Sequence, residues 1–299
     1  MIQDKTYEQE VDDDTKMPGA NWFSGARLNF AENLLRYRDD RIALIFKGEA
    51  QASTRMTSAQ LYEEVARLAR SLKDLGFQPG DRVVGFMPNM PESIIAMLAA
   101  TSLGAAWSSC SPDFGIKGVL DRFGQIKPRV LFTANGYSFK GKNLDSLERI
   151  SHILKELPSI EKVVVVPYTE QKADISAVDN AVHYQHFRSS ESGLEIEFEQ
   201  LPFDHPLYIM YSSGTTGLPK CMVQSAGGIL IHHLKELILH SEGLRYSRRL
   251  CRIPIFFYPA PFSKELPGWG ETGSRRIERG LLQPTENKSA NSTSSSRRW

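Results

Sequence analysis

The chain has 299 residues, enough for one large α/β domain or two of ordinary size, and its 36 Lys/Arg against 35 Asp/Glu leave a net charge of +1. That balance argues against a nucleic-acid or membrane-surface protein as a whole. The three cysteines, Cys110, Cys221 and Cys251, form no Cys-x-x-Cys pair and no disulfide framework, which suits a reducing compartment with the cytosol as default. No apolar run reaches transmembrane length, and residues 1–20 carry six acids against Lys5 and Lys16, the reverse of a signal or transit peptide. Neither nucleic acid nor membrane insertion is therefore expected among its partners.

From residue 41 to 166, β-type runs alternate with amphipathic segments, the pattern of βαβ crossovers around a largely parallel sheet. A strand is predicted at 42–46 and a helix at 57–75, with Leu61, Val65, Leu68, Ala69, Leu72 and Leu75 on one face and a stop at Gly76. The next strand is at 82–86, succeeded by a helix opened by Pro91 and running to Gly104, a strand at 105–110 and a helix at 116–126. Strands at 130–133 and 163–166 flank a helix at 143–157. Residues 167–205 read as a connection or a peripheral hairpin layer.

The run Leu207, Tyr208, Ile209, Met210, Tyr211 has the length and composition of a buried strand. The segment after this strand is the most specific in the chain. Ser212, Ser213, Thr215 and Thr216 supply hydroxyl donors for anionic oxygens. Gly214 and Gly217 allow the positive φ angles that turn backbone N–H groups toward a phosphate, and Lys220 adds a cation whose approach Pro219 restricts. A Walker A loop needs Gly-Lys-Ser/Thr before a helix, whereas Lys220 is followed by Cys221, Met222 and Val223, so the order is strand, loop, strand. The competing reading is a hydroxyl-rich surface turn, but such turns rarely combine two spaced glycines with a Pro-Lys end. A polyphosphate such as that of ATP is the ligand this chemistry suits.

A helix is predicted at 226–240, and beyond it the pattern breaks. Residues 241–299 contain recurring prolines, eleven bases against five acids and an end rich in Ser and Arg, so an irregular basic tail without order is expected there, with one apolar cluster at 253–258. The sequons Asn287-Lys288-Ser289 and Asn291-Ser292-Thr293 are read as chance occurrences.

Together the loop and the alternating units resemble the adenylate-forming acyl-CoA synthetase superfamily, whose phosphate loop has the form Ser/Thr-Ser-Gly-Thr/Ser-Thr-Gly-x-Pro-Lys; 212–220 match it throughout. The stretch from Asn21-Trp22-Phe23-Ser24 to Asn33-Leu34-Leu35 looks like the N-terminal arm of its acetyl-CoA synthetase branch. Ala106-Trp107-Ser108-Ser109-Cys110-Ser111-Pro112-Asp113-Phe114-Gly115 and Asp121-Arg122-Phe123-Gly124-Gln125-Ile126 are similar to the acetoacetate-activating members. The resemblance implies an arm at 1–40 and part of an AMP-binding domain at 41–240, an α/β fold that is the N-terminal part of the large domain. It further implies small-molecule substrates, with ATP-dependent formation of an acyl-adenylate followed by thioester formation with CoA. In that scheme Ser212, Ser213, Gly214, Thr215, Thr216, Gly217 and Lys220 hold the ATP phosphates with Mg²⁺, and Lys140 and Lys142 lie where relatives contact CoA phosphates; a surface role for these two lysines is the alternative.

Two departures accompany the match. Gln224 stands where related short-chain synthetases carry a histidine, and the motifs that the superfamily places downstream, including the lid with its catalytic lysine, are not recognisable after His240; Trp269-Gly270-Glu271-Thr272 is a superficial echo. The expectation is thus the first part of an adenylating domain without a lid domain, leaving an inactive fragment with weak nucleotide binding, or another short-chain synthetase, as alternative readings. Metal binding at His183/His186 or His232/His233 lacks further ligands at convincing spacing, so no metal site is expected, and no Gly-x-Ser-x-Gly elbow exists for serine hydrolysis. The run Asp12-Asp13-Asp14 reads as a solvated terminus.

Overall fold

The computed structural model describes residues 1–49, 51–212 and 217–240. Its centre is a seven-stranded sheet made of β1 (Arg82–Phe86), β2 (Ala106–Cys110), β3 (Val130–Ala134), β4 (Lys162–Val166), β5 (Ala181–His183), β6 (Pro206–Ser212) and β7 (Lys220–Ser225), in the spatial order β5-β4-β3-β1-β2-β6-β7. Every neighbouring pair is parallel except the last, β6 with β7. Among the described residues β7 has no partner on its outer side.

Five longer helices cover the sheet: α1 (Ser58–Asp74), α2 (Pro91–Ser102), α3 (Ile116–Ile126), α4 (Leu147–Glu156) and α5 (Ala226–Lys235). Strand alternation divides the core in two. Val83, Val130, Phe132, Val164 and Val166 pack with α1, α2 and α5, while Val84, Phe86, Leu131, Val163 and Val165 pack with α3 and α4. Leu68, Leu72, Leu98 and Phe123 are fully buried, each stabilising the fold by about 1.5–3 kcal/mol relative to exposure.

Local chemistry explains the boundaries. Thr57 caps α1 reciprocally: its Oγ1 accepts from Gln60 N–H at 3.2 Å and its own N–H donates to Gln60 Oε1 at 2.9 Å. Pro91 occupies the first turn of α2, where its missing N–H costs nothing. Ser225 ends β7 and caps α5 by accepting from Gly228 N–H. Gly85 in β1 leaves room for the Trp107 indole of β2, which a Cβ there would meet at 2.7 Å. In the N-terminal arm, Asn29 is fully buried and donates to the carbonyls of Ser102 and Glu199 at 3.0 and 2.8 Å, tying the arm to α2 and to the segment before β6.

The α/β class with a largely parallel sheet agrees with the sequence expectation, and several details differ. Ile42–Phe46 is not part of the central sheet; it pairs antiparallel with Thr54–Thr57, a strand too short and polar to stand out in the sequence. The first residues of the helix expected at 143–157 belong to a hairpin of Gly136–Phe139 with Lys142–Asp145, and the helix itself starts at Leu147, two residues beyond Asp145, whose Oδ1 accepts from the N–H of Leu147 and Glu148. Within the connection 167–205, Ala181–His183 joins the sheet edge beside β4 as β5. The helix expected at 226–240 is α-helical to Lys235 and continues as a π-helical turn, Glu236–His240. The tail expected at 241–299 lies outside the described residues.

Candidate nucleotide-binding site

In an open parallel sheet, ligands bind outside the carboxyl ends of the strands, at the crevice where connections leave in opposite directions. Here β1 leads toward β2 on one side and β3 leads toward β4 on the other, so that crevice lies at Phe86 and Ala134. The phosphate-type loop leaves the carboxyl end of β6, in parallel register with β2 through Tyr208↔Trp107 and Ile209↔Ser108. Topology alone brings the loop to the ligand-binding end.

The two limbs of the loop are held together. β6 and β7 pair antiparallel up to Ser212↔Lys220, so the first and last residues of the predicted loop face each other across the ladder. Gly217 has φ +90° and nothing within 4 Å of where a Cβ would lie, so conformation rather than space calls for glycine there. Lys220 is exposed. Ser213, Gly214, Thr215 and Thr216 lie outside the described residues.

The entry limb is anchored to β2. Ser108, 2 % exposed, donates its Oγ hydrogen to the Ile209 carbonyl at 2.6 Å and lies 3.1 Å from the Tyr211 hydroxyl. Burial pushes the Tyr211 phenol well above its ordinary range, against the lowering effect of the Ser108 hydrogen bond, so Tyr211 stays neutral. Beside it, burial pushes the Cys110 thiol up to about 12, which removes it as a nucleophile. The exit limb is anchored to α3: Gln125 Nε2 donates to the Pro219 carbonyl at 2.9 Å, and Cys221 Sγ donates to Gln125 Oε1 at 3.5 Å.

Two guanidiniums line the same end of the sheet. Arg122 lies 4.5 Å from the Phe114 ring centroid and 5.8 Å from that of Tyr211. Arg149 lies 5.5 Å from Phe86 and 5.6 Å from Tyr137, and donates to the Phe114 carbonyl at 3.2 Å. These stacks leave much of each guanidinium edge for acceptors. They also form a continuous path, Tyr137–Arg149–Phe114–Arg122–Tyr211, from the hairpin after β3 to the strand that opens the loop.

That hairpin carries the other predicted site residues. Lys140 and Gly141, at φ +51° and +74°, form its two-residue turn, and Lys142 pairs with Phe139. Lys140 and Lys142 are exposed, and the Gly141 N–H donates to Glu49 Oε1 at 2.8 Å, so a carboxylate sits at the turn expected to meet CoA phosphates. Gln224 lies opposite Tyr208 in the β6–β7 ladder, half-buried. The histidine pairs gather no ligand set: among the described residues no group of three or more His, Cys, Asp or Glu is placed to hold a metal ion. Burial beside Phe30 also pulls the His233 pKa down. Sequence reasoning missed roles for Ser108, Arg122, Gln125 and Arg149; the first three fall within the segments that carried the resemblance.

Comparison with known proteins gives the family. The chain is 46% identical over 259 residues to the acetoacetyl-CoA synthetase of Macaca fascicularis, an alignment spanning 84% of this chain and 38% of that protein. It is 48% identical over 244 residues to the acetoacetyl-coenzyme A synthetase of Rhizobium meliloti strain 1021, covering 81% and 37% respectively. Among solved structures, acetoacetyl-CoA synthetase from Streptomyces lividans superposes with a TM-score of 0.75 at 43% identity, over 81% of this chain and 37% of that one. The chain thus spans less than two-fifths of the length of these relatives. The model of the AMP-binding enzyme family matches residues 30–261, well over half of the sequence, and the chain belongs to the AMP-binding enzyme family.

Proposed function

We propose that this chain carries the nucleotide-phosphate half of an acetoacetate–CoA ligase. The observation that carries the reading is the braced loop: a Ser/Thr/Gly-rich turn whose ends, Ser212 and Lys220, are fixed opposite each other at the carboxyl end of a parallel sheet. Identities of 46% and 48% to acetoacetyl-CoA synthetases support acetoacetate as the acid.

In the reaction proposed, an acetoacetate oxygen attacks the α-phosphorus of ATP, the bond to the β-phosphate oxygen breaks and pyrophosphate leaves. The CoA thiol, losing its proton, then attacks the acyl carbon and AMP departs. The loop hydroxyls and N–H groups, with Lys220, hold the β- and γ-phosphates in line and offset the charge that develops on the leaving pyrophosphate. The donor set of hydroxyls and one cation suits Mg²⁺ carried on the nucleotide rather than held in a protein cage; bound there, the ion neutralises phosphate charge. Lys140 and Lys142 are assigned to the CoA phosphates. A cytosolic setting is proposed because the sequence has no Cys-x-x-Cys pair and no disulfide framework; among the described residues no helix is long and apolar enough to cross a membrane.

Acetoacetate-dependent ATP–pyrophosphate exchange by the purified chain tests this reading. Exchange above the acetate control, lost in Lys220→Ala, is the expected result. No exchange from a folded preparation that still binds MgATP rejects catalysis by this chain and leaves a nucleotide-binding fragment. Equal exchange with acetate and acetoacetate instead favours another short-chain synthetase.

A further inference from the structure

Helix α3 touches the phosphate loop at two points one turn apart. At the entry limb, Arg122 stacks near Tyr211 while its Nη1 donates to the Gly118 carbonyl at 2.7 Å. Three residues later, on the same helix face, Gln125 reaches the exit limb. Both amide hydrogens are used: Nε2 donates to the carbonyls of Asp121 at 2.5 Å and Pro219 at 2.9 Å, and Oε1 accepts from Cys221. Two acceptors on one side and a thiol on the other fit a single orientation of that amide. The last turn of α3 is itself tied to the sheet, because Arg82 at the start of β1 donates to the carbonyls of Ile126 at 2.8 Å and Lys127 at 3.0 Å.

We propose that Gln125 is a positioning residue for the phosphate loop. By holding the Pro219 carbonyl it fixes the peptide immediately before Lys220, and the restricted φ of Pro219 passes that constraint along the exit limb. The direction in which Lys220 meets a polyphosphate is then set by α3 and, through Arg82, by β1. Gln125 is exposed and buries little, so its contribution to the stability of the fold is small. Its two long-range partners, 94 and 96 residues away, both belong to the exit limb. The assignment rests on the nucleotide-phosphate reading of the loop.

The test compares Gln125→Ala, the isosteric Gln125→Glu, which lacks the donor, and Gln125→Lys, which restores one. In nucleotide-free protein, amide exchange over 217–221 is expected to accelerate about three- to tenfold in the Ala and Glu variants, the factor one lost hydrogen bond implies. It should stay near the parent rate in Gln125→Lys, with the thermal midpoint unchanged throughout. By titration calorimetry, MgATP affinity should fall by a similar factor in the Ala and Glu variants. Unchanged exchange overturns the proposal, and so does faster exchange with unaltered MgATP affinity, which would make the brace merely structural. Should the parent chain bind no MgATP, the nucleotide reading fails on its own, and the exchange measurement with its Gln125→Lys rescue decides the brace.

Discussion

The two ends of the central sheet use their cations differently. At the amino end, Arg129 pairs with Asp81 at 2.6 Å and Glu161 at 2.8 Å, tying the segments that lead into β1, β3 and β4. At the carboxyl end, Arg122 and Arg149 contact aromatic rings and backbone carbonyls, and Lys220 stands exposed at the loop exit. At the amino end Arg129 is matched by two carboxylates, while Arg82 beside it is held by the carbonyls of Gly80, Ile126 and Lys127. At the carboxyl end no carboxylate is paired with Arg122, Arg149 or Lys220 among the described residues, which is what the proposed polyphosphate site would require of its cations.

The sharpest way to break this comparison is Lys220→Ala. Losing the cation proposed to face the leaving pyrophosphate should lower acetoacetate-dependent exchange by about a hundredfold or more, with an unchanged melting temperature; a loss of only a few fold would remove Lys220 from the proposed phosphate site. Next comes Ser108→Ala, which strips a buried hydroxyl from the β2–β6 junction. Chemical denaturation should record a loss of about 1–2 kcal/mol, and the tryptic sensitivity of Lys220 should rise with it.

At the amino end, Arg129→Ala should cost about 1 kcal/mol, since its pairs are partly exposed, and leave MgATP affinity untouched. Its effect carries a pH signature. Hydrogen bonding from Arg129 holds the Glu161 carboxyl below the usual carboxylate range. The stabilisation is therefore complete above the ordinary Glu pKa and is lost as pH falls through the depressed value. The stability gap between parent and Arg129→Ala should narrow in acid, and a gap constant from neutral to strongly acid pH would contradict the pairing. The smallest expected effect is that of Glu49→Gln. Removing the charge from the Gly141 contact should leave stability within about 0.5 kcal/mol while tightening CoA binding two- to threefold by calorimetry, and no change would speak against the hairpin as a CoA-phosphate site.

Features encoded locally are the ones legible in the sequence. The alternation from 82 to 166 reads as a parallel sheet because those strands are buried on both faces and their helices have one apolar stripe, and Thr57 and Pro91 mark helix starts by chemistry within a single turn. Ile42–Phe46 has the composition of another such strand, but Ile42 and Ile45 are 46% and 43% exposed in a separate hairpin. The turn at Lys140–Gly141 lacks the Asn-Gly or Asp-Gly signal that announces most two-residue hairpins, so in sequence its second strand merges with the helix after it. The loop is recognisable from composition alone. Its supports are not: Ser108 meets Tyr211 across 103 residues and Gln125 meets Pro219 across 94, and no window of sequence spans such distances.

The outer edge of β7 has a practical consequence for handling the protein. Among the described residues nothing pairs with this edge, where Met222 and Val223 are exposed at 39% and 58%, and a strand edge left unpaired offers backbone donors and acceptors to another extended chain. Intermolecular strand addition there would build soluble oligomers first and precipitate later, at a rate rising with concentration. A lysine gatekeeper in place of Val223 would blunt that edge, and a larger monomer fraction in size-exclusion chromatography would identify β7 as the seed of self-association.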